Sequence, residues 1–159
     1  TNDSEKIVEQ CFAEHKPLSF EILDIDYFKQ YNDRYGHQAG DDCVRAIAAL
    51  IRQMESDQIF CARYGGDEFV IIYSGMSAEE VCERAEKLRQ DVMALQIEQR
   101  YTEGAFGVTI SQGICHDIPS NGNKNWDFLH VADQTLYRVK RRGRNRLCMT
   151  DIHGREIEV

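Results

Sequence analysis

Apolar positions recur along this chain with two periods, and each period predicts an element. Residues 4–15 carry Ile7, Val8, Cys11 and Phe12 on one helical face. "LSFEILDID" (18–26) becomes apolar on both faces, as expected of a central strand. "GDDCVRAIAALIRQME" (40–55) spaces Val44, Ile47, Ala48, Ile51 and Met54 as a helix, with Asp41 and Asp42 suited to its N-terminus. "IFCARY" and "EFVIIY" flank Gly65-Gly66 and predict a hairpin, the glycines supplying a positive φ to a tight turn. Residues 77–96 form a long helix with a Ser77–Glu80 capping box and a stripe of Val81, Ala85, Leu88, Val92 and Leu95. A strand over 107–116 follows, then a loop over 118–125. A helix over 126–142 is ended by Gly143, and "RLCMT" (146–150) makes an edge strand.

That order mixes helices with hairpin strands. It predicts an α+β fold with a central, largely antiparallel sheet flanked by helices. The chain has 159 residues, enough for one domain with a real core over 1–159. Opening on Thr1 rather than Met, it is expected to be a piece of a longer protein. The balance of 27 acidic against 19 basic side chains, net −8, argues against a nucleic-acid polymer as partner while leaving room for a local phosphate site. No apolar run approaches the roughly 18 residues that cross a bilayer, and no signal peptide is visible. A cytoplasmic domain is expected, touching membrane only through regions outside this stretch. Cys11, Cys43, Cys61, Cys82, Cys115 and Cys148 are scattered without a CxxC pattern, as buried reduced thiols would be.

Four polar clusters interrupt the apolar pattern. Asp24 and Asp26 close a buried strand, where paired carboxylates repel unless a cation or donor joins them; a turn-forming acidic loop is the alternative. Asp67 and Glu68 follow the glycines on what reads as strand, where Asp is disfavoured; a solvated hairpin tip is the alternative. If those strands are neighbours, the acids converge in the layout that holds divalent cations for nucleotidyl transfer, and glycine lets backbone approach a ligand. "KRRGRN" (140–145), with Arg146, concentrates cations in a mostly acidic chain, as counter-charge for a triphosphate or as a favoured helix C-terminus. "YGHQAGDD" leads into a helix, with Asp41 as a cap and His37 as a structural hydrogen bonder. No Walker A, GxGxxG or zinc pattern is present.

Together, D-I-D-x-F-K-x-x-N-D (Asp24 to Asp33), G-H-x-x-G-D (Gly36 to Asp41), R-Y-G-G-D-E-F (Arg63 to Phe69) and A-D-x-x-L-Y-x-x-K-x-x-G-R-N (Ala132 to Asn145) resemble the GGDEF domain of diguanylate cyclases over about residues 15–147. The resemblance implies a nucleotidyl-cyclase or polymerase-palm-like fold. It implies an enzyme condensing two GTP into cyclic di-GMP and two pyrophosphates across a two-fold homodimer, driven by an upstream sensory domain. It implies Mg²⁺ or Mn²⁺, two per site, on Asp24, the Ile25 carbonyl, Asp67 and Glu68. Asp67, Glu68 and Lys29 are the implied catalytic residues, Asp67 being the family's proposed proton acceptor. Substrate would lie against Phe28, Lys29, Asn32, His37, Asp41, Lys140 and Arg144, with Asn32 and Asp41 reading guanine. A carboxylate such as Asp41 can accept from both N1–H and N2–H of guanine, and adenine offers no such pair.

Two departures stand out. The R-x-x-D product-inhibition motif of many members is replaced by Ser56 to Ile59, "SDQI", and the family's D-x-L-T-x-L-x-N-R opening does not appear. A competing reading is a catalytically silent module binding GTP or cyclic di-GMP; the presence of Asp24, Asp67 and Glu68 weighs against it. Asp41 weighs against a relaxed-specificity enzyme.

Overall fold

The structure is a computed structural model that describes residues 2–99, 107–120 and 122–159. Its elements run α1 (Asn2–Glu14), β1 (Leu18–Ile25), α2 (Phe28–Tyr35), α3 (His37–Arg52), β2 (Ile59–Arg63), β3 (Glu68–Ser74), α4 (Ala78–Ala94), β4 (Ile110–Asp117), α5 (Asn125–Arg141) and β5 (Leu147–Thr150). The strands form one sheet in the order β2-β3-β1-β4-β5, antiparallel except for the β4–β5 pair.

β1 lies between β3 and β4 and is buried at every position, which is why its sequence is apolar on both faces. Leu18, Phe20 and Ile22 pack with Val8, Phe128 and Leu136 beneath α1 and α5. Leu23 and Ile25 pack with Ile47, Val81 and Leu88 beneath α3 and α4. α4 begins at the expected Ser77–Glu80 capping box, but Leu95 falls beyond its last turn and is exposed rather than part of its stripe.

Several boundaries differ from expectation. α3 starts at His37 behind Gly36, so Asp41 and Asp42 sit in its second turn rather than at its N-terminus. The run after Asp26 forms α2, a short helix in which only Tyr31 is fully buried, flanked by partly buried Phe28 and Tyr35; two turns are too few for that spacing to stand out among polar residues. β4 begins at Ile110, later than the patterned run at 107, and α5 begins one residue early, at Asn125.

Gly113 sets the approach of α5 to the sheet. A Cβ there would lie 2.2 Å from the Leu136 nitrogen and 2.6 Å from the Ala132 oxygen, both helix backbone. Beyond β5 the chain folds back: Thr150 bridges Glu156, the Ile157 N–H donates to the Met149 carbonyl, and Arg138 and Arg142 both bind the Glu156 carboxylate. All six cysteines are free, and burial pushes Cys43 and Cys82 up to about 11 and Cys61 to about 12, so the thiolate is scarce at neutral pH.

Under α4, Glu21 is fully buried, accepting from the Tyr73 hydroxyl at 2.6 Å and the Gln112 amide at 2.9 Å. Gln112 also ties to the Ala85 carbonyl at 2.9 Å. Desolvation pushes Glu21 up to about 7, against the lowering effect of those two donors. The folded chain therefore keeps a proton that the unfolded chain releases near 4.5, and stability falls as pH rises between those values. Glu21→Gln removes that slope. In denaturant titrations at pH 4.5 and pH 8, the variant should gain on the wild type as pH rises; a constant difference would contradict this assignment.

Candidate active site at the strand ends

The β1–β3 register pairs Asp24 directly with Glu68. Paired residues share a sheet face, so both carboxylates point to the α5 side, as do their neighbours Ile22 and Val70. Asp67 precedes β3 rather than lying on it, and its carbonyl accepts from the Ile25 N–H at 3.1 Å. Asp24 and Glu68 from neighbouring strands, with Asp67 at the adjoining turn, thus lie at one end of the sheet.

The hairpin tip departs from expectation. Neither Gly65 nor Gly66 has positive φ. The turn is closed by the Tyr64 and Gly65 N–H groups on the Glu68 carbonyl, at 2.7 and 3.1 Å. Arg63 clamps it, donating to the Gly65 carbonyl at 3.1 Å and the Gly66 carbonyl at 2.6 Å. A Cβ on Gly66 would meet nothing within 4 Å, and one on Gly65 only the Glu68 Cβ at 3.6 Å. The fold itself leaves room for a methyl at either position, so close approach of a ligand is the reason that remains for the glycines. Arg63 carried no assigned role in the sequence; a cation two residues before a glycine pair was the available signal.

Electrostatics at the acids are unfavourable. Desolvation, then a hydrogen bond and repulsion from Asp24, push Glu68 up to about 7, with Asp133 adding and Lys140 opposing. Asp67 is raised by burial and by Asp24. The Lys140 ammonium pairs with Asp24 Oδ2, while Asp24 Oδ1 is buried with no hydrogen-bond partner. Among the described residues no three His, Cys, Asp or Glu side chains form a ready metal-holding group, and Lys140 engages Asp24. The donor set nevertheless fits a hard dication: an orphaned buried carboxylate oxygen, two carboxyls raised by burial and by Asp24, and oxygen ligands throughout.

Beside the acids, Tyr27 turns the chain with φ 56° into α2, which has no side-chain cap. The first N–H groups of a helix lack intrahelical partners, so Phe28 and Lys29 present backbone donors there. Lys29 is exposed and Phe28 half-buried, stacked 6.3 Å from Tyr31. One turn on, Asn32 Oδ1 is buried without a partner against Gly40, where a Cβ would come within 1.7 Å of it. A side chain at position 40 would therefore displace the Asn32 amide from its place on the α2–α3 contact, near Asp41 and His37, both exposed on α3.

The basic run does not act as one patch. Lys140 reaches Asp24, and Arg144 stacks 4.7 Å from the Tyr27 ring centroid. Arg142 instead binds Glu156, Arg141 lies over Tyr137, and Arg146 donates to the Arg144 carbonyl at 2.9 Å. The two aspartates of "DID" also separate. Asp24 joins the acids, and Asp26 turns inward to Thr109, Ser111 and the Asn145 N–H. Ser56 Oγ closes the turn into β2 by accepting from the Gln58 and Ile59 N–H groups, and Ile59 is core. A groove beneath α1, near Phe12, Phe20 and Ile72, lies away from the acids.

The family model described as "Diguanylate cyclase, GGDEF domain" matches residues 2–146. A diguanylate cyclase of Vibrio cholerae is 35% identical over 140 residues, 84% of this chain and 40% of that protein. Diguanylate cyclase DosC of Escherichia coli K12 is 34% identical over 133 residues, 82% of this chain and 28% of that protein, so this chain spans well under half of either relative. The crystal structure of the GGDEF domain of DgcB from Caulobacter crescentus, in complex with c-di-GMP, matches with a TM-score of 0.81 at 32% identity, covering 95% of this chain and 88% of that one.

Proposed function

This chain belongs to the GGDEF family of diguanylate cyclases, and we propose on that footing that it is the catalytic domain of a longer protein and condenses two GTP into cyclic di-GMP and two pyrophosphates. The observation that carries the reading is the register that sets Asp24 and Glu68 on one sheet face with Asp67 at the adjoining turn.

Asp24, the Ile25 carbonyl, Asp67 and Glu68 would hold Mg²⁺ or Mn²⁺, two ions being the family's pattern. Bound there, such ions would offset phosphate charge and make a 3′-hydroxyl more acidic. The chain's own groups do the rest. The uncapped start of α2 and the Lys29 ammonium bind phosphate oxygens beside the acids. Lys140 leaves Asp24 for the β- and γ-phosphates, joined by Arg144. Asn32 Oδ1, an acceptor without a donor, takes a guanine N–H, and Asp41 takes the adjacent pair, with His37 lining the pocket. Asp67, the acceptor proposed for the family, would receive the 3′-hydroxyl proton. One site binds one GTP, and each 3′-hydroxyl must attack the other nucleotide's α-phosphorus, so two copies meet about a two-fold axis. An upstream segment would set the dimer population by raising effective concentration.

Incubation with GTP and Mg²⁺ over a range of protein concentrations, with mass analysis of the products, tests this. Cyclic di-GMP is expected, at a rate per molecule that rises with concentration; intact GTP throughout would favour a silent binding module. In the same assay, added cyclic di-GMP should leave initial rates largely unchanged, because Ser56 caps a turn and Ile59 faces the core. Strong inhibition with product bound near Ser56 would refute that. Asp41→Ser should relax selectivity against ATP by about 100-fold, since a carboxylate covered by the bound base and left unpaired is what would reject adenine. Unchanged base preference would remove Asp41 from that role.

A further inference from the structure

We propose that Asp26 is a positioning residue: it locks the left-handed Arg144–Asn145 turn so that the Arg144 guanidinium is presented to nucleotide phosphates. The inference rests on the phosphate-binding role given to Arg144 above.

Arg144 and Asn145 are consecutive residues with φ 64° and 48°. Asparagine tolerates that region; arginine, with a long side chain and a Cβ, does not favour it. Such a conformation persists only where its surroundings over-determine it, and it marks a place where geometry has been held against local preference. A connection built for stability alone would use glycine, as the chain does one residue earlier at Gly143, φ 113°.

The surroundings are specific. Asp26 is 2% exposed. Its Oδ2 accepts from the Asn145 N–H at 3.1 Å and the Thr109 hydroxyl at 2.7 Å, and its Oδ1 accepts from the Ser111 hydroxyl at 2.6 Å. Ser111 Oγ also accepts from the Asn145 N–H, at 3.2 Å. The Asp26 N–H is itself fixed to the Thr109 carbonyl at 2.9 Å. From α4, Arg89 donates to the Asn145 side-chain oxygen at 2.9 Å and reaches its carbonyl at 3.4 Å. A carboxylate buried on neutral donors is costly to keep, and here it fixes one backbone N–H at the point where the chain leaves α5. Arg144 then lies over the Tyr27 ring, and Gln99 in turn binds the Tyr27 carbonyl at 3.2 Å. Asp24 and Asp26 thus divide the work of one tripeptide, one facing the ligand and the other setting the cation opposite.

A double-mutant cycle tests this, read by equilibrium binding rather than turnover. The probes are a GTP analogue with a methylene between its α- and β-phosphates, with Mg²⁺, and GMP, which lacks the outer phosphates. Asp26→Asn should weaken analogue binding about tenfold, the scale of one charge-assisted contact. It should leave GMP binding unchanged, and Asp26→Asn combined with Arg144→Ala should bind no worse than Arg144→Ala alone. An Arg144→Ala effect without an Asp26→Asn effect, full additivity, or equal loss of GMP binding would each overturn the inference and leave the phosphate role of Arg144 standing. No effect of Arg144→Ala on the analogue would overturn both. Should Asp26→Asn fail to fold, Arg89→Gln removes the outer clamp from an element surface. It should show the same phosphate-specific signature at about threefold, and its absence would count against the latch.

Discussion

Glu68→Ala and Asp67→Ala should each abolish cyclic di-GMP formation, by at least about a thousandfold, because the loss falls on transition-state stabilisation rather than on substrate binding alone. Stability should move the other way. Glu68 is held up to about 7 by burial and by Asp24, so the folded chain disfavours its charged form. A raised carboxyl value means stability that declines as pH climbs from 4.5 toward 7, and removing the group removes the decline. Without metal or nucleotide, Glu68→Ala should therefore melt no lower than the wild type at pH 8, and higher if repulsion dominates. Gain of stability on loss of a charged site residue is the usual trade at a pre-organised centre. Pyrophosphate release and thermal unfolding, measured on the same samples, check both halves. Near-normal release from either variant would contradict the assignment of the acids.

Gly113→Ala carries the second large effect, and it acts from the core. The added methyl would sit 2.2 Å from the Leu136 nitrogen and 2.6 Å from the Leu136 Cα. Both are backbone atoms of α5, so no side-chain rotation relieves the clash, and the helix must lift. Overpacking of this kind costs about 3 kcal/mol or more. For a chain of this size that corresponds to a fall of roughly 6–12 °C in melting temperature. The same helix carries Lys140 in its last turn and leads into Arg144, so lifting it displaces the ammonium paired with Asp24 and the guanidinium over Tyr27. Misplacement by about an ångström can cost about 100-fold in rate. Activity measured well below the unfolding transition should thus fall even where the variant is folded. A variant within about 1 kcal/mol of wild type would show that α5 has slack the geometry does not suggest.

What the sequence disclosed follows from which physical signals are periodic. β1, α3, α4 and α5 bury long stripes, and their existence and order were legible, as was the pairing of the strands that carry Asp24 and Glu68. α2 was not legible: it fully buries only Tyr31, and its polar residues answer to the site rather than to the core. The start of α3 was misplaced because a pair of aspartates resembles a cap, while the actual cap, Gly36, carries no side-chain signal. Gly65-Gly66 were assigned a backbone need that the turn does not have. The basic run could not be apportioned in advance, since only the folded tail reveals that Arg142 is engaged by Glu156 rather than facing the acids. Asp26 could not be separated from Asp24, because two residues along a strand exit give no hint of which turns inward.

The fold-back beyond β5 has a consequence for colloidal behaviour. A four-residue parallel strand at the margin of a sheet would otherwise offer unpaired amide and carbonyl groups to any passing extended peptide. Here the chain's own residues 151–157 occupy that margin, through the Thr150–Glu156 bridge and the Ile157-to-Met149 bond. The Glu156 carboxylate acts as the fastener between two arginines. Clipping that segment away would reopen the margin to templated strand addition, so residues 151–157 shield the domain from edge-to-edge association.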